Sequence, residues 1–229
     1  MMGPAPTRDP WVGNYTIRQF GEGVCMRLSF GAQIRIVYHV DDHIKYRLED
    51  DETFTIDPNV ATVDGNCDSP SKRTVVIYPF GSREEPYWTI TLIFQLQSGT
   101  FALTEVDATY VFDEEHFPES DTTGYQSEGS ESSNFLWQKV PTGKYYSCSD
   151  MSVELVLATV YLWDMQLQPF ADDVDGHLGE ADVCVPGLDL SAILGIVFGA
   201  VVVLVLVVVA VYCFRTWRRR KDYVNIQEE

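Results

Sequence analysis

Cys25, Cys67, Cys148 and Cys184 carry the most consequential chemistry in this 229-residue chain. With Cys213 set apart in an uncharged stretch, they form an even set. No CxxC and no Cys and His cluster occurs, so the spacing points to disulfides in an oxidising compartment and not to a metal site. The residues alone leave three pairings open. Pairing in sequence order would close two loops of about 40 residues, each worth about 4 kcal/mol in the chain-entropy account.

Two further motifs invite modification or recognition. Asn14-Tyr15-Thr16 is an N-glycosylation acceptor, whereas Asn59-Val60-Ala61 and Asn66-Cys67-Asp68 are not, so one glycan at Asn14 is expected. Tyr223-Val224-Asn225-Ile226 fits the Tyr-x-x-apolar signal that clathrin adaptors bind as an extended peptide, with one pocket for Tyr223 and another for Ile226. Acid–base and metal chemistry are weaker readings. Glu84 with Glu85 and Asp41 with Asp42 could supply the paired carboxylates of a glycosidase, but neighbours on a strand face opposite ways. His39 and His43 would share a face only on an unbroken strand, and Asp41-Asp42 reads as a turn. They read as surface histidines. No enzyme activity and no cofactor are expected.

The elements that position these residues divide at a membrane. From 190 to 214 no residue is charged; as a helix those 25 residues reach roughly 37 Å against a hydrocarbon core of about 30 Å. Arg215, Arg218, Arg219, Arg220 and Lys221 follow it, while 171–189 contains no Lys or Arg, so the C-terminus is expected in the cytoplasm. The sequence thus divides into an N-terminal segment 1–11, a lumenal domain 12–187, a membrane helix 188–214 and a tail 215–229. Within the span Ser191, Gly195 and Gly199 recur every four residues and form a small-residue stripe suited to a homodimer, and Cys213 stands at its inner boundary as an acylation candidate. Residues 1–10 hold three prolines and no apolar run, so the reading expects a signal peptide that this chain does not show.

Charge narrows the partners. The chain carries 34 acidic and 16 basic residues, for a net -18, which argues against nucleic acid; 45% apolar content argues against disorder. Outside the membrane 31 acidic residues face 11 basic ones, an excess suited to an acidic lumen or simply to solubility. The pattern there is that of strands. Met26, Leu28 and Phe30, then Ile34, Ile36, Tyr38 and Val40, alternate with polar neighbours on either side of Gly31, where a turn or bulge is expected. Further strands are predicted at 15–20, 54–56, 74–78, 87–96, 101–112 and 153–168. Turns are predicted at Asp64-Gly65-Asn66, Ser98-Gly99 and Pro141-Thr142-Gly143, and 113–134 reads as a long polar loop. An all-β domain follows.

Several segments resemble the lysosome-associated membrane glycoprotein family. They are Val12-Gly13-Asn14-Tyr15-Thr16-Ile17, Gly23-Val24-Cys25-Met26, Phe30-Gly31-Ala32-Gln33-Ile34, Phe54-Thr55-Ile56-Asp57-Pro58-Asn59 and Gly65-Asn66-Cys67. Pro141-Thr142-Gly143-Lys144-Tyr145-Tyr146-Ser147-Cys148, Gln166-Leu167-Gln168-Pro169-Phe170 and Ala181-Asp182-Val183-Cys184 continue it in the family's order. The resemblance implies a β-prism domain, disulfides Cys25 to Cys67 and Cys148 to Cys184, and a type I glycoprotein of lysosomal or late endosomal membranes without enzyme activity. A single sequon and a single domain resemble the smaller relatives that sort cargo membrane proteins, which implies as the alternative a receptor directing cargo to endosomes or to secretory or synaptic vesicles.

Overall fold

The computed structural model describes residues 11–19, 23–41, 47–81, 88–132, 135–136, 138–171 and 177–184, with 206–207 and 209 further on. The chain forms two compact units, Met1–Val185 and Pro186–Glu229. In the second, Leu206, Val207 and Val209 are helical and exposed. Among the described residues no helix is long and apolar enough to cross a membrane. The membrane helix, its stripe of Ser191, Gly195 and Gly199, Cys213, and the tail with Tyr223 and Ile226 lie outside the described residues.

The first unit is all-β, as expected. Its strands are β1 (Gly13–Gln19), β2 (Gly23–Asp41), β3 (Arg47–Thr55), β4 (Thr62–Asn66), β5 (Lys72–Tyr78), β6 (Thr89–Gln97), β7 (Thr100–Phe112), β8 (Gly124–Glu131), β9 (Val140–Pro141), β10 (Lys144–Glu154), β11 (Ala158–Gln168) and β12 (Glu180–Val183). One sheet has the order β1-β2-β11-β10-β12 with β3 beside β2; the other has the order β4-β5-β6-β7-β8 with β9 beside β7. All pairings are antiparallel except β10 with β12.

β2 is the spine of the first sheet. β11 lies along Arg27 to Ile36 on one of its edges, while the other edge is taken by β1 up to Phe30 and by β3 from Gln33. Met26, Leu28, Phe30, Ala32, Ile34, Ile36 and Tyr38 are all buried. The two-residue period therefore runs through Gly31 without a flip, and β2 has neither the turn nor the bulge expected there. The irregularity falls on β11 instead, between Trp163 and Gln166, where Asp164 adopts φ 48°. Gly31 serves a different purpose: the Trp163 indole lies over it, and a Cβ would come within 2.2 Å of Trp163 Cε2.

In the second sheet Val75, Ile77, Ile90, Leu92, Phe94, Phe101, Leu103, Val106 and Tyr110 are buried, and they share one core with the inward face of the first sheet. Removing this much apolar surface from water is the main drive for the fold, at roughly 25 cal/mol per Å². Turn chemistry holds at Ser98-Gly99 (φ 53° and 76°) and at Thr142-Gly143, where Gly143 has φ 83°.

Three other expectations are corrected. Asp64-Gly65-Asn66 is no turn; it lies in β4, and Gly65 is small because Ile17 and Met26 press on it, with a Cβ only 2.5 Å from Ile17 Cδ1. The segment 113–134 is not one loop, since β8 pairs along β7 with alternating exposure. Residues 153–168 are not one strand either. They are the end of β10, a tight connection at Leu155–Leu157, and β11.

Candidate functional site

The cysteines come together in sequence order. Cys25 in β2 is bonded to Cys67 just after β4, with Cα atoms 6.4 Å apart, and Cys148 in β10 to Cys184 just after β12, at 5.1 Å. The first bridge ties the two sheets. Beside it Arg73, although on the buried face of β5, donates from Nη1 to the carbonyl oxygens of Cys67 (2.9 Å) and Ser69, with its guanidinium 5.0 Å above the Phe170 ring. A buried guanidinium is tolerable because carbonyls and an aromatic face replace water around it. The second bridge fastens β12, which is also held where Gln138 Nε2 donates to Asp182 Oδ1 at 2.9 Å.

Asn14 lies on β1, an edge strand, and its side chain is exposed, as is that of Thr16. The acceptor asparagine and the threonine of the sequon therefore share an accessible face, while Tyr15 between them packs against the core. The carboxylate and histidine candidates are not brought together. Glu84, Glu85, Asp42 and His43 lie outside the described residues; Asp41 ends β2, and His39 in β2 pairs with Glu49 across β3. Among the described residues no group of three His, Cys, Asp or Glu could hold a metal ion.

A different constellation forms where the first sheet meets the β7–β8 connection. His116 sits among Phe54, Phe80 and Trp88, with ring centroids 5.8, 5.3 and 5.3 Å from its own. Trp88 in turn stacks on Phe117 at 5.8 Å. Asp113 fixes the imidazole: His116 Nδ1–H and its backbone N–H both donate to Asp113 Oδ1 at 2.8 Å. Burial pushes the Asp113 carboxyl up, but these donors outweigh it and hold it below the usual carboxylate range. The sequence gives no periodic signal for this cluster, because its rings come from four separate segments. It works as a plug: Trp88 and Phe117 are buried, and only Phe80 is substantially exposed.

This two-sheet fold has a counterpart among known proteins. Residues 1–185 match the family described as lysosome-associated membrane glycoprotein 2-like, luminal domains. The chain belongs to this family. Three solved luminal structures share the fold. The membrane-proximal domain of mouse lysosome-associated membrane protein 1 superposes with TM-score 0.61 at 22% identity, covering 77% of this chain and 98% of that one. The membrane-distal domain of mouse lysosome-associated membrane protein 2 gives 0.59 at 19%, covering 76% and 99%. Human lysosome-associated membrane protein 3 gives 0.58 at 22%, again covering 76% and 99%. No curated protein matches the sequence. In this family member the luminal domain thus presents bridges, an aromatic plug and polar strand faces.

Proposed function

We propose that the protein is a single-span glycoprotein of lysosomal and late endosomal membranes, with a structural or trafficking role, carried there by its tail. The observation that carries the reading is the family's luminal domain over residues 1–185, followed in sequence by 25 uncharged residues, a basic cluster and Tyr223-Val224-Asn225-Ile226. Tyr223 and Ile226 would fill the two pockets of a clathrin adaptor. The nine residues from Phe214 to Tyr223 reach at most about 30 Å, enough to clear the headgroups. In the same reading Asn14 carries a glycan, and Ser191, Gly195 and Gly199 pack a homodimer in the span.

The test is surface labelling of the full-length protein. Tyr223→Ala and Ile226→Ala should each move it to the plasma membrane, and labelling of either variant equal to the parent would refute the sorting account. A second reading is favoured by the lone sequon, which supports no dense sugar coat: a receptor that directs a cargo membrane protein to endosomes or secretory vesicles. Stable co-purification with one particular membrane protein would favour it over residence without partners.

A further inference from the structure

β12 buries almost no apolar surface. Glu180 and Ala181 are exposed, Val183 is 63% exposed, and Asp182 is half-buried. The strand pairs on one side only, with Lys144 to Ser147 of β10, and stands at the end of its sheet. Its near end is anchored. His177 O accepts from Arg27 Nη1 at 2.7 Å, Gly179 N–H donates to Gln168 Oε1 at 3.1 Å, and Gly179 passes so close to the Gly143 carbonyl that no Cβ fits between them. The far end is tied by the Cys148–Cys184 bond, by Cys184 N–H donating to Ser147 O at 2.8 Å, and by Gln138 Nε2 donating to Asp182 Oδ1 and Val183 O at 2.9 and 3.1 Å. The Lys144–Glu180 pair is exposed and adds little.

The two disulfides differ in what surrounds them. Cys25 and Cys67 are both buried, between two sheets whose shared core would have to part before a thiol reached either sulfur. Cys148 is buried as well, but Cys184 is half-buried at the end of a strand with little to hold it. Access to the attacked sulfur governs how fast a thiolate cuts a disulfide, and segments with few buried apolar contacts open well below the global unfolding free energy. Only the second bridge meets both conditions.

We propose that Cys148–Cys184 is a reducible fastener and β12 the strap it closes: a dithiol reductant opens this bridge before Cys25–Cys67, and 180–184 then leave β10 as far as the Gly179 anchor while the two-sheet core stays folded. One thiolate of the reductant attacks Cys184 Sγ, the S–S bond breaks, and Cys148 leaves as a thiolate that takes a proton from solvent. The reductant's second thiolate attacks the reductant sulfur of the mixed disulfide, closing a ring and expelling Cys184 as a thiolate. Two electrons pass to the protein, and the dithiol ends as a cyclic disulfide. Release uncovers the main-chain edge of β10 at Lys144 to Ser147, an unpaired edge able to take up another strand. The device lies within the luminal domain and needs neither span nor tail signal, so it and the sorting account can fail separately.

Free thiols of the full-length protein in phosphatidylcholine nanodiscs are first blocked with N-ethylmaleimide. The protein is then titrated with dithiothreitol, and new thiols are trapped with iodoacetamide and assigned by peptide mass spectrometry. Cys148 and Cys184 should be half-labelled at a dithiothreitol concentration at least tenfold below that for Cys25 and Cys67. Equal concentrations, or the reverse order, would overturn the proposal. At the concentration that opens only the second bridge, hydrogen exchange in peptides covering Lys144 to Ser147 and 181–184 should rise at least tenfold, with β2, β6 and β7 changing less than twofold. Unchanged exchange along β12 would mean that pairing and not the bridge holds the strap, and acceleration throughout would mean that the bridge holds the whole domain; either result ends the device.

Discussion

Glu128 of β8 accepts from the backbone N–H of Leu157, with Oε2 and N 2.7 Å apart, although β8 belongs to one sheet and Leu157 to the β10–β11 connection of the other. Its other oxygen accepts from the Tyr110 hydroxyl, and Ala158 N–H donates more weakly to Oε2 at 3.4 Å. One carboxylate therefore closes the β10–β11 connection and satisfies a fully buried tyrosine. Burial, then Glu128, push the Tyr110 phenol up, so it stays a neutral donor over the whole physiological range. Glu128→Ala leaves the Leu157 amide and the Tyr110 hydroxyl without their acceptor and should cost about 1–3 kcal/mol; Glu128→Gln, which keeps one acceptor, should cost less. Chemical denaturation of the pair orders the two, and equal loss would mean that size and not hydrogen bonding matters.

Cys67→Ser and Cys184→Ser should each lower stability by about 2–4 kcal/mol, because each opens a loop of 42 or 36 residues in the unfolded chain. Non-reducing peptide mapping of the parent should recover Cys25 with Cys67 and Cys148 with Cys184. A Cys25 to Cys148 or Cys25 to Cys184 peptide contradicts the structure.

Asn14→Gln should remove the single mobility shift that an N-glycosidase produces on the parent, and should leave the melting temperature nearly unchanged because the side chain is exposed. A parent that shows no shift on treatment counts against glycosylation at this site.

Asp107→Asn should raise the melting temperature at pH 7. Because the folded-state carboxyl titrates above its unfolded value of about 3.9, the folded state holds the proton more tightly between the two values, and stability falls as pH rises through that window. The cost is fully present above the folded value and absent below the unfolded one. The gain from Asn should therefore shrink as pH is lowered and vanish where both states are protonated. A gain that does not change with pH would point to packing and not charge.

The all-β class and the inward set of β2 were legible because apolar residues on a half-buried strand keep a two-residue period. What escaped had no such period to show. β8 reads GYQSEGSE, whose inward residues are themselves polar: Glu128 faces a tyrosine and a backbone amide, not a hydrocarbon core. Asp64-Gly65-Asn66 has turn composition, but Gly65 is small to admit Ile17 and Met26 between two sheets, a constraint that exists only in three dimensions. The β10–β11 connection escaped for the opposite reason. Leu155, Val156 and Leu157 are apolar and lack turn residues, and the connection is stabilised from a distance by Glu128. Of the site residues, the cysteines could be found because their chemistry is written in residue type, whereas the aromatic plug depends on Phe54, Phe80, Trp88 and His116 meeting from distant segments.

The central place of β2 sets a timetable for biosynthesis. Its pairing with β11 joins residues more than 120 positions apart, from Ile36 with Ala158 to Arg27 with Gln168. At about 5–20 residues per second that partner emerges roughly ten seconds later, so a nascent chain exposes one unpaired edge of a strand with a continuous apolar face throughout that interval. Topologies dominated by such distant pairings fold slowly. Occupancy of a holding chaperone on the ribosome-bound chain should accordingly peak after β2 is extruded and fall only once β11 has appeared.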